Sequence, residues 1–196
     1  MQKILVVDFG SQYTQLIARR LRELKIYSEV CPWDEIPEIE NVEGFILSGG
    51  PESSNIEGNP NIDSKIFNSG KPILGVCYGM QVLAFQEGGQ IVNEGKKEFG
   101  HAQIKIESKS SIFADTDINF SVWMSHGDKV ESLPDGYEVI ASSDNSPIAA
   151  FQNQEKNYYG LQFHPEVTHT QHGTQIINNF LKSCNCLLYT SDAADE

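Results

Sequence analysis

Along the chain, apolar residues first run together, then space themselves three and four apart, then run together again. Residues 3–8 carry the stretch Ile4-Leu5-Val6-Val7, which predicts a strand buried on both faces. After Phe9-Gly10-Ser11, the spacing of Ile17, Leu21 and Leu24 predicts a helix over residues 12–25. Strands are expected at residues 27–31 and 44–47, the second running into Ser48-Gly49-Gly50-Pro51. A helix near residues 62–69 then precedes an apolar strand at 72–76 and an amphipathic helix starting near Met80 and ending at Gly88-Gly89. Strand and helix alternate, so this part should form a parallel sheet covered on both sides. From Gln90 to Leu161 the texture changes to short strands broken by Gly100, Pro134-Asp135-Gly136 and Asn145-Ser146-Pro147, and a last helix is expected over residues 171–182. The fold class is therefore α/β, a mostly parallel sheet flanked by helices with a smaller antiparallel β section.

Cys77 stands between the apolar strand and the helix in Gly75-Val-Cys-Tyr-Gly79. Glycines on either side allow a sharp strand-to-helix turn of the kind that presents a nucleophile, and a helix N-terminus beside the thiol favours its anion. The competing reading is a small buried cysteine at a βα junction. A partner lies far along the chain in Gln162-Phe-His-Pro-Glu166. Pro165 biases His164 towards extended geometry, which would end a strand on the imidazole and project Glu166 to the same side. That gives a nucleophile, a base and an orienting acid, although a His-Pro-Glu run taken alone is more often a surface turn. In an open parallel sheet, ligands sit beyond the carboxyl ends of the strands, where Ser48-Gly49-Gly50, Cys77 and His164 all fall. Gly49 and Gly50 can bring a backbone N–H to a reacting carbonyl, and the Tyr78 N–H is the natural second donor of an oxyanion hole. Gln81, one helical turn after Cys77, either lines the pocket or sits at the edge of the core. Ser48-Gly-Gly-Pro-Glu-Ser53 also resembles a pyrophosphate-binding loop, but a breaker-rich segment follows where that loop needs a helix, and Glu52 would repel phosphate.

The 196 residues, 39% of them hydrophobic, suffice for one substantial core and not for two comfortable domains. A formal charge of −13 argues against a nucleic-acid or anionic-membrane surface. Five acids between Asp34 and Glu43 belong to a solvated connection. The four cysteines show no paired spacing, so neither disulfides nor a metal site are expected. No stretch reaches membrane-spanning length and Met1 leads directly into a strand, pointing to a cytoplasmic protein.

Five strings bring a family into view: Asp8-Phe-Gly-Ser-Gln-Tyr-Thr-Gln15, Leu47-Ser-Gly-Gly-Pro-Glu-Ser53, Gly75-Val-Cys-Tyr-Gly-Met-Gln81, Trp123-Met-Ser-His-Gly-Asp-Lys129 and Gln162-Phe-His-Pro-Glu-Val-Thr-His-Thr170. With them the chain resembles class I glutamine amidotransferase domains, and among these the glutaminase domains of GMP synthases. The resemblance implies a flavodoxin-like fold over residues 1–185 that hydrolyses glutamine to glutamate and ammonia. It assigns Cys77 as nucleophile, His164 as base, Glu166 as orienting acid, and the N–H groups of Gly50 and Tyr78 as oxyanion donors. Gly49, Gln81 and Asp128 are implied to hold the substrate, Asp128 by pairing with its ammonium, while His126 is implied to be a non-catalytic residue of the pocket wall. No cofactor is expected in this chain. ATP and Mg2+ are implied for an ATP-pyrophosphatase domain absent here, which would aminate XMP to GMP within a homodimeric full-length enzyme. Two other readings are a stand-alone glutaminase subunit docking a separate synthetase chain, and a non-catalytic regulatory domain on the same fold. Residues 186–196 match neither helix nor family and resemble the translation of a sequencing adapter. Asp192, Asp195 and Glu196 in that tail account for three of the negative charges, leaving −10 on residues 1–185.

Overall fold

The computed structural model describes residues 1–50 and 58–185. The end of the Ser48–Ser53 string and the 186–196 tail, including the adapter reading, lie outside the described residues.

β1 (Lys3–Asp8) is the hub of the first half. It pairs in parallel with β2 (Ser28–Pro32) on one side and β3 (Val42–Leu47) on the other. Beyond β3 come β4 (Ile73–Val76) and then β11 (Tyr158–Leu161), both still parallel. Past β11 the same sheet turns antiparallel through β10 (Ala150–Asn153), β9 (Glu138–Ser143), β6 (Glu98–Ile106) and β7 (Asn119–His126). The order β2-β1-β3-β4-β11-β10-β9-β6-β7 thus joins both textures seen in the sequence into one nine-stranded sheet.

Alternation along β1 distributes its apolar run between two layers. Ile4 and Val6 pack with Ile17 and Leu21 of α1 (Thr14–Glu23) and with Ile176 and Phe180 of α4 (Gly173–Ser183). Leu5 and Val7 face the opposite layer, with Ile66 of α2 (Ser64–Asn68) and Met80 and Leu83 of α3 (Tyr78–Gln86). α3 differs from the amphipathic helix expected from the sequence, since every residue from Tyr78 to Ala84 is buried. Its outer side is covered by a two-stranded antiparallel sheet of β5 (Gln90–Val92) and β8 (Lys129–Ser132), which adds Ile91 and Val130 to that layer. Among the described residues no helix is long and apolar enough to cross a membrane.

The turn from β4 into α3 depends on its glycines. A Cβ on Gly75 would lie 2.7 Å from the backbone of Gly79, and one on Gly79 would lie 2.5 Å from the Leu47 carbonyl oxygen. Both obstacles are backbone and cannot rotate away. Gly79→Ala is therefore expected to cost at least about 2–3 kcal/mol, the upper range for overpacking a core, as a lower urea midpoint at unchanged m-value. An unchanged midpoint would show that the turn tolerates a side chain.

Candidate active site

Cys77 caps α3 at φ 53° and ψ −108°, a region that non-glycine residues seldom occupy. Such a conformation costs on the order of 1–3 kcal/mol and persists only where the surroundings impose it. Here the Cys77 N–H donates to the Leu161 carbonyl at 2.7 Å, and the Cys77 carbonyl accepts from the Gln81 N–H at 3.1 Å. The residue is buried, 7% exposed. Its Sγ donates to the Ser125 carbonyl at 3.4 Å and accepts from Gln162 Nε2 at 3.7 Å.

The His164 imidazole and the Cys77 thiol interact electrostatically. The imidazole Nδ1 lies 2.6 Å from Glu166 Oε1. Burial disfavours the imidazolium, but the Glu166 carboxylate and the Cys77 thiol outweigh it and hold the His164 pKa well above its ordinary value. Glu166 is fully buried, and its Oε2 has no hydrogen-bond partner among the described residues. The geometry joining His164 to Glu166 differs from the sequence expectation. β11 ends at Leu161, three residues before His164, and Pro165-Glu166 form a turn instead of extended chain. That turn is fastened on several sides. The His164 N–H donates to the Trp123 carbonyl, Thr170 Oγ1 donates to the His164 carbonyl at 2.6 Å, and Arg20 Nε donates to the Glu166 carbonyl at 2.9 Å. Tyr13 places its ring edge-on to His164 at 5.2 Å between centroids.

Gly49 and Gly50 form a shelf beside this pair. A Cβ on Gly50 would come within 2.8 Å of the Phe9 carbonyl oxygen, which reserves that position for glycine, and one on Gly49 would press on His164 Cε1 at 3.2 Å. Ser48 Oγ accepts from the Phe9 N–H and donates to the Gly49 carbonyl, fixing the shelf. The Tyr78 N–H opens α3 and has no acceptor within the helix.

Gly50, Cys77, Tyr78 and Gln81 share a cavity of about 180 Å3 with Asn93, Lys97, Phe99 and the Ser125–Gly127 segment. Gln81 Nε2 donates to the Asp128 carbonyl at 2.8 Å and to Gln162 Oε1 at 3.2 Å, so only its amide oxygen is left to accept from a ligand. Asp128 is buried and its Oδ1 accepts from Asn93 Nδ2 at 2.9 Å, which leaves Asn93 and not the carboxylate on the cavity wall. His126 also lines the cavity, yet both its ring nitrogens are engaged, Nδ1 with the Asp128 carbonyl at 2.8 Å and Nε2 with the buried Glu98 carboxylate at 2.9 Å. Gln162, Asn93, Lys97, Phe99 and Ser125 were not among the site residues read from the sequence. A larger groove, about 750 Å3 and lined by residues such as Lys109, Ser111 and Asp117, holds neither a cysteine nor a histidine among its lining residues.

The glutamine amidotransferase class-I family model matches residues 5–184, nearly the whole described chain. The chain belongs to the class I glutamine amidotransferase family. This amidotransferase is 50% identical, over alignments of 201 positions covering all of it, to the glutamine-hydrolysing GMP synthases of Vibrio parahaemolyticus and Vibrio cholerae. It spans 39% of the length of those relatives. Among solved structures, a protein assigned as a GMP synthase subunit from Thermoplasma acidophilum superposes with a TM-score of 0.83 at 35% identity, covering 94% of each chain. A glutamine amidotransferase from Thermotoga maritima shares the fold, with a TM-score of 0.70 at 20% identity over 92% of this amidotransferase and 81% of that chain.

Proposed function

We propose that this amidotransferase hydrolyses glutamine to glutamate and ammonia, and that the ammonia serves the ATP-dependent amination of XMP to GMP. The strained, buried Cys77, set beside the hydrogen-bonded His164–Glu166 pair, is the observation that carries this reading. His164 takes the thiol proton as Cys77 Sγ attacks the side-chain carbonyl of glutamine. The developing oxyanion meets the N–H groups of Gly50 and Tyr78. His164, oriented by Glu166, then protonates the departing ammonia, and water delivered with His164 as base cleaves the glutamyl thioester. The oxygen of Gln81 accepts from the substrate ammonium, which Asp128 supports through Asn93.

Amination, with its ATP and Mg2+, belongs to the part of the longer relatives that this chain does not span, in an enzyme that works as a homodimer in the cytoplasm. The high coverage of the Thermoplasma structure favours a second arrangement, in which a chain of this length is a separate subunit that docks a synthetase chain. A regulatory domain without catalysis fits poorly with an assembled nucleophile, base and acid.

The test is stoichiometric. Incubated with L-glutamine, the chain should release glutamate and ammonia in equal amounts, slowly and at a rate that XMP and ATP leave unchanged. The complete enzyme should couple that release to GMP. Absence of glutamate release from both would overturn the proposal, and stimulation of the isolated chain by nucleotide would show that it holds part of the synthetase site.

A further inference from the structure

We infer that Lys97 is the anchor for the substrate's α-carboxylate and so selects an α-amino acid over a simple amide. The inference rests on the glutamine-hydrolysing reading of the Cys77 site. A glutamine bound there with its amide at Sγ presents an ammonium and a carboxylate to the rest of the cavity, and each needs an opposite charge or a hydrogen-bond partner once water is displaced. The ammonium finds acceptors in the Gln81 amide oxygen and the Asn93–Asp128 pair. The carboxylate has fewer choices, because Lys97 and His126 are the cationic side-chain types on the cavity wall. His126 is committed to the Glu98 carboxylate through Nε2 and to the Asp128 carbonyl through Nδ1. Lys97 has no hydrogen bond or ion pair among the described residues.

Its position is set by the strand that follows. Glu98 turns inward to His126 and is buried, while its neighbours Lys97 and Phe99 are exposed and both border the cavity. The Lys97 stem runs beside Gly127, where an added Cβ would lie 3.7 Å from Lys97 Cγ and 3.9 Å from Cε. That contact lays the stem along the Gly127 side of the cavity wall while the residue stays exposed. In a chain of net charge −13 a carboxylate is repelled at long range, so a local cation decides whether it is accepted.

The experiment compares wild type, Lys97→Met and Lys97→Arg with two substrates, L-glutamine and 4-aminobutanamide, which keeps the amide and the ammonium but lacks the carboxylate. Iodoacetamide alkylation of Cys77 reports the integrity of the nucleophile. For Lys97→Met the KM for glutamine should rise roughly 10- to 100-fold, as for one lost charge-assisted hydrogen bond. Its kinetics with 4-aminobutanamide and its alkylation rate should stay at wild-type values, and Lys97→Arg should retain most of the preference for glutamine. If wild type hydrolyses glutamine and Lys97→Met does so with the same KM and the same preference, the Lys97 assignment is wrong while the glutaminase reading stands. If wild type is alkylated by iodoacetamide but hydrolyses neither substrate, the glutaminase reading fails and the assignment falls with it.

Discussion

Cys77→Ala should abolish glutamine hydrolysis, with a loss on the order of 10⁴- to 10⁶-fold, the scale on which removing the nucleophile of a triad acts. In the complete enzyme, the same substitution should eliminate GMP formation from glutamine and leave formation from added ammonium salts near the wild-type rate. This split follows from the site's geometry. The thiol meets Ser125 and Gln162 beside a cavity of about 180 Å3, and in the proposed reaction it handles only the glutamyl group and never the acceptor of the ammonia. Rates with glutamine and with ammonium salts, measured side by side, check it. Equal loss of both would mean that Cys77 holds up the synthetase as well as feeding it.

The second large effect concerns stability. His164→Ala should destabilise the fold by about 3–5 kcal/mol near pH 6, the cost of stranding one member of a buried ion pair. Glu166 is fully buried, accepts from His164 through Oε1 and has no partner at Oε2 among the described residues, so its charge is left uncompensated when the imidazole is gone. The double variant His164→Ala/Glu166→Gln should recover part of the loss, because it removes the stranded charge. The pH dependence has a definite sign. A raised native pKa means that the native protein holds a proton the unfolded chain gives up near pH 6.5. The contribution is therefore fully present below that pH and is lost as pH rises through the higher native value. Denaturant titrations at pH 6 and pH 9 should show the gap between wild type and His164→Ala shrinking at the higher pH. A gap below 1 kcal/mol at pH 6, or one that does not change with pH, would contradict this account.

The sequence made the Cys77 turn legible because its demands are local. Gly75, Cys77 and Gly79 lie within five positions, and the clashes that exclude other residues come from backbone beside them. The parallel half of the sheet was legible for a similar reason, since the doubly buried run of β1 has no other comfortable environment. Contacts between distant segments were not. Nothing around Gln162 announces that its amide would sit between Gln81 and Cys77, because Gln81 is 81 positions away. Likewise, His126 looks like a rival base until Glu98, 28 positions earlier, is seen to occupy it. The amphipathic reading of α3 failed because its second covering layer comes from β5 and β8, the latter more than forty residues downstream of the helix. His164 and Glu166 lie within hydrogen-bond distance, but a turn pinned by Thr170 and Arg20 brings them together where an extended strand was expected.

The insertion of β11 beside β4 also bears on how the molecule is made. β4 is complete by residue 76, yet its second neighbour is not synthesised until residues 158–161, so the centre of the sheet waits for more than eighty residues of chain. Contacts of such long range close late and slow folding. Until they close, Ile73 and Leu74 stand on an open strand edge of the kind that recruits other chains. The Leu161 carbonyl that holds the Cys77 backbone arrives in that same step, followed within a few residues by His164 and Glu166. From residue 77 until residue 166 is made, a growing chain thus carries the Cys77 thiol without the groups that surround it in the closed sheet.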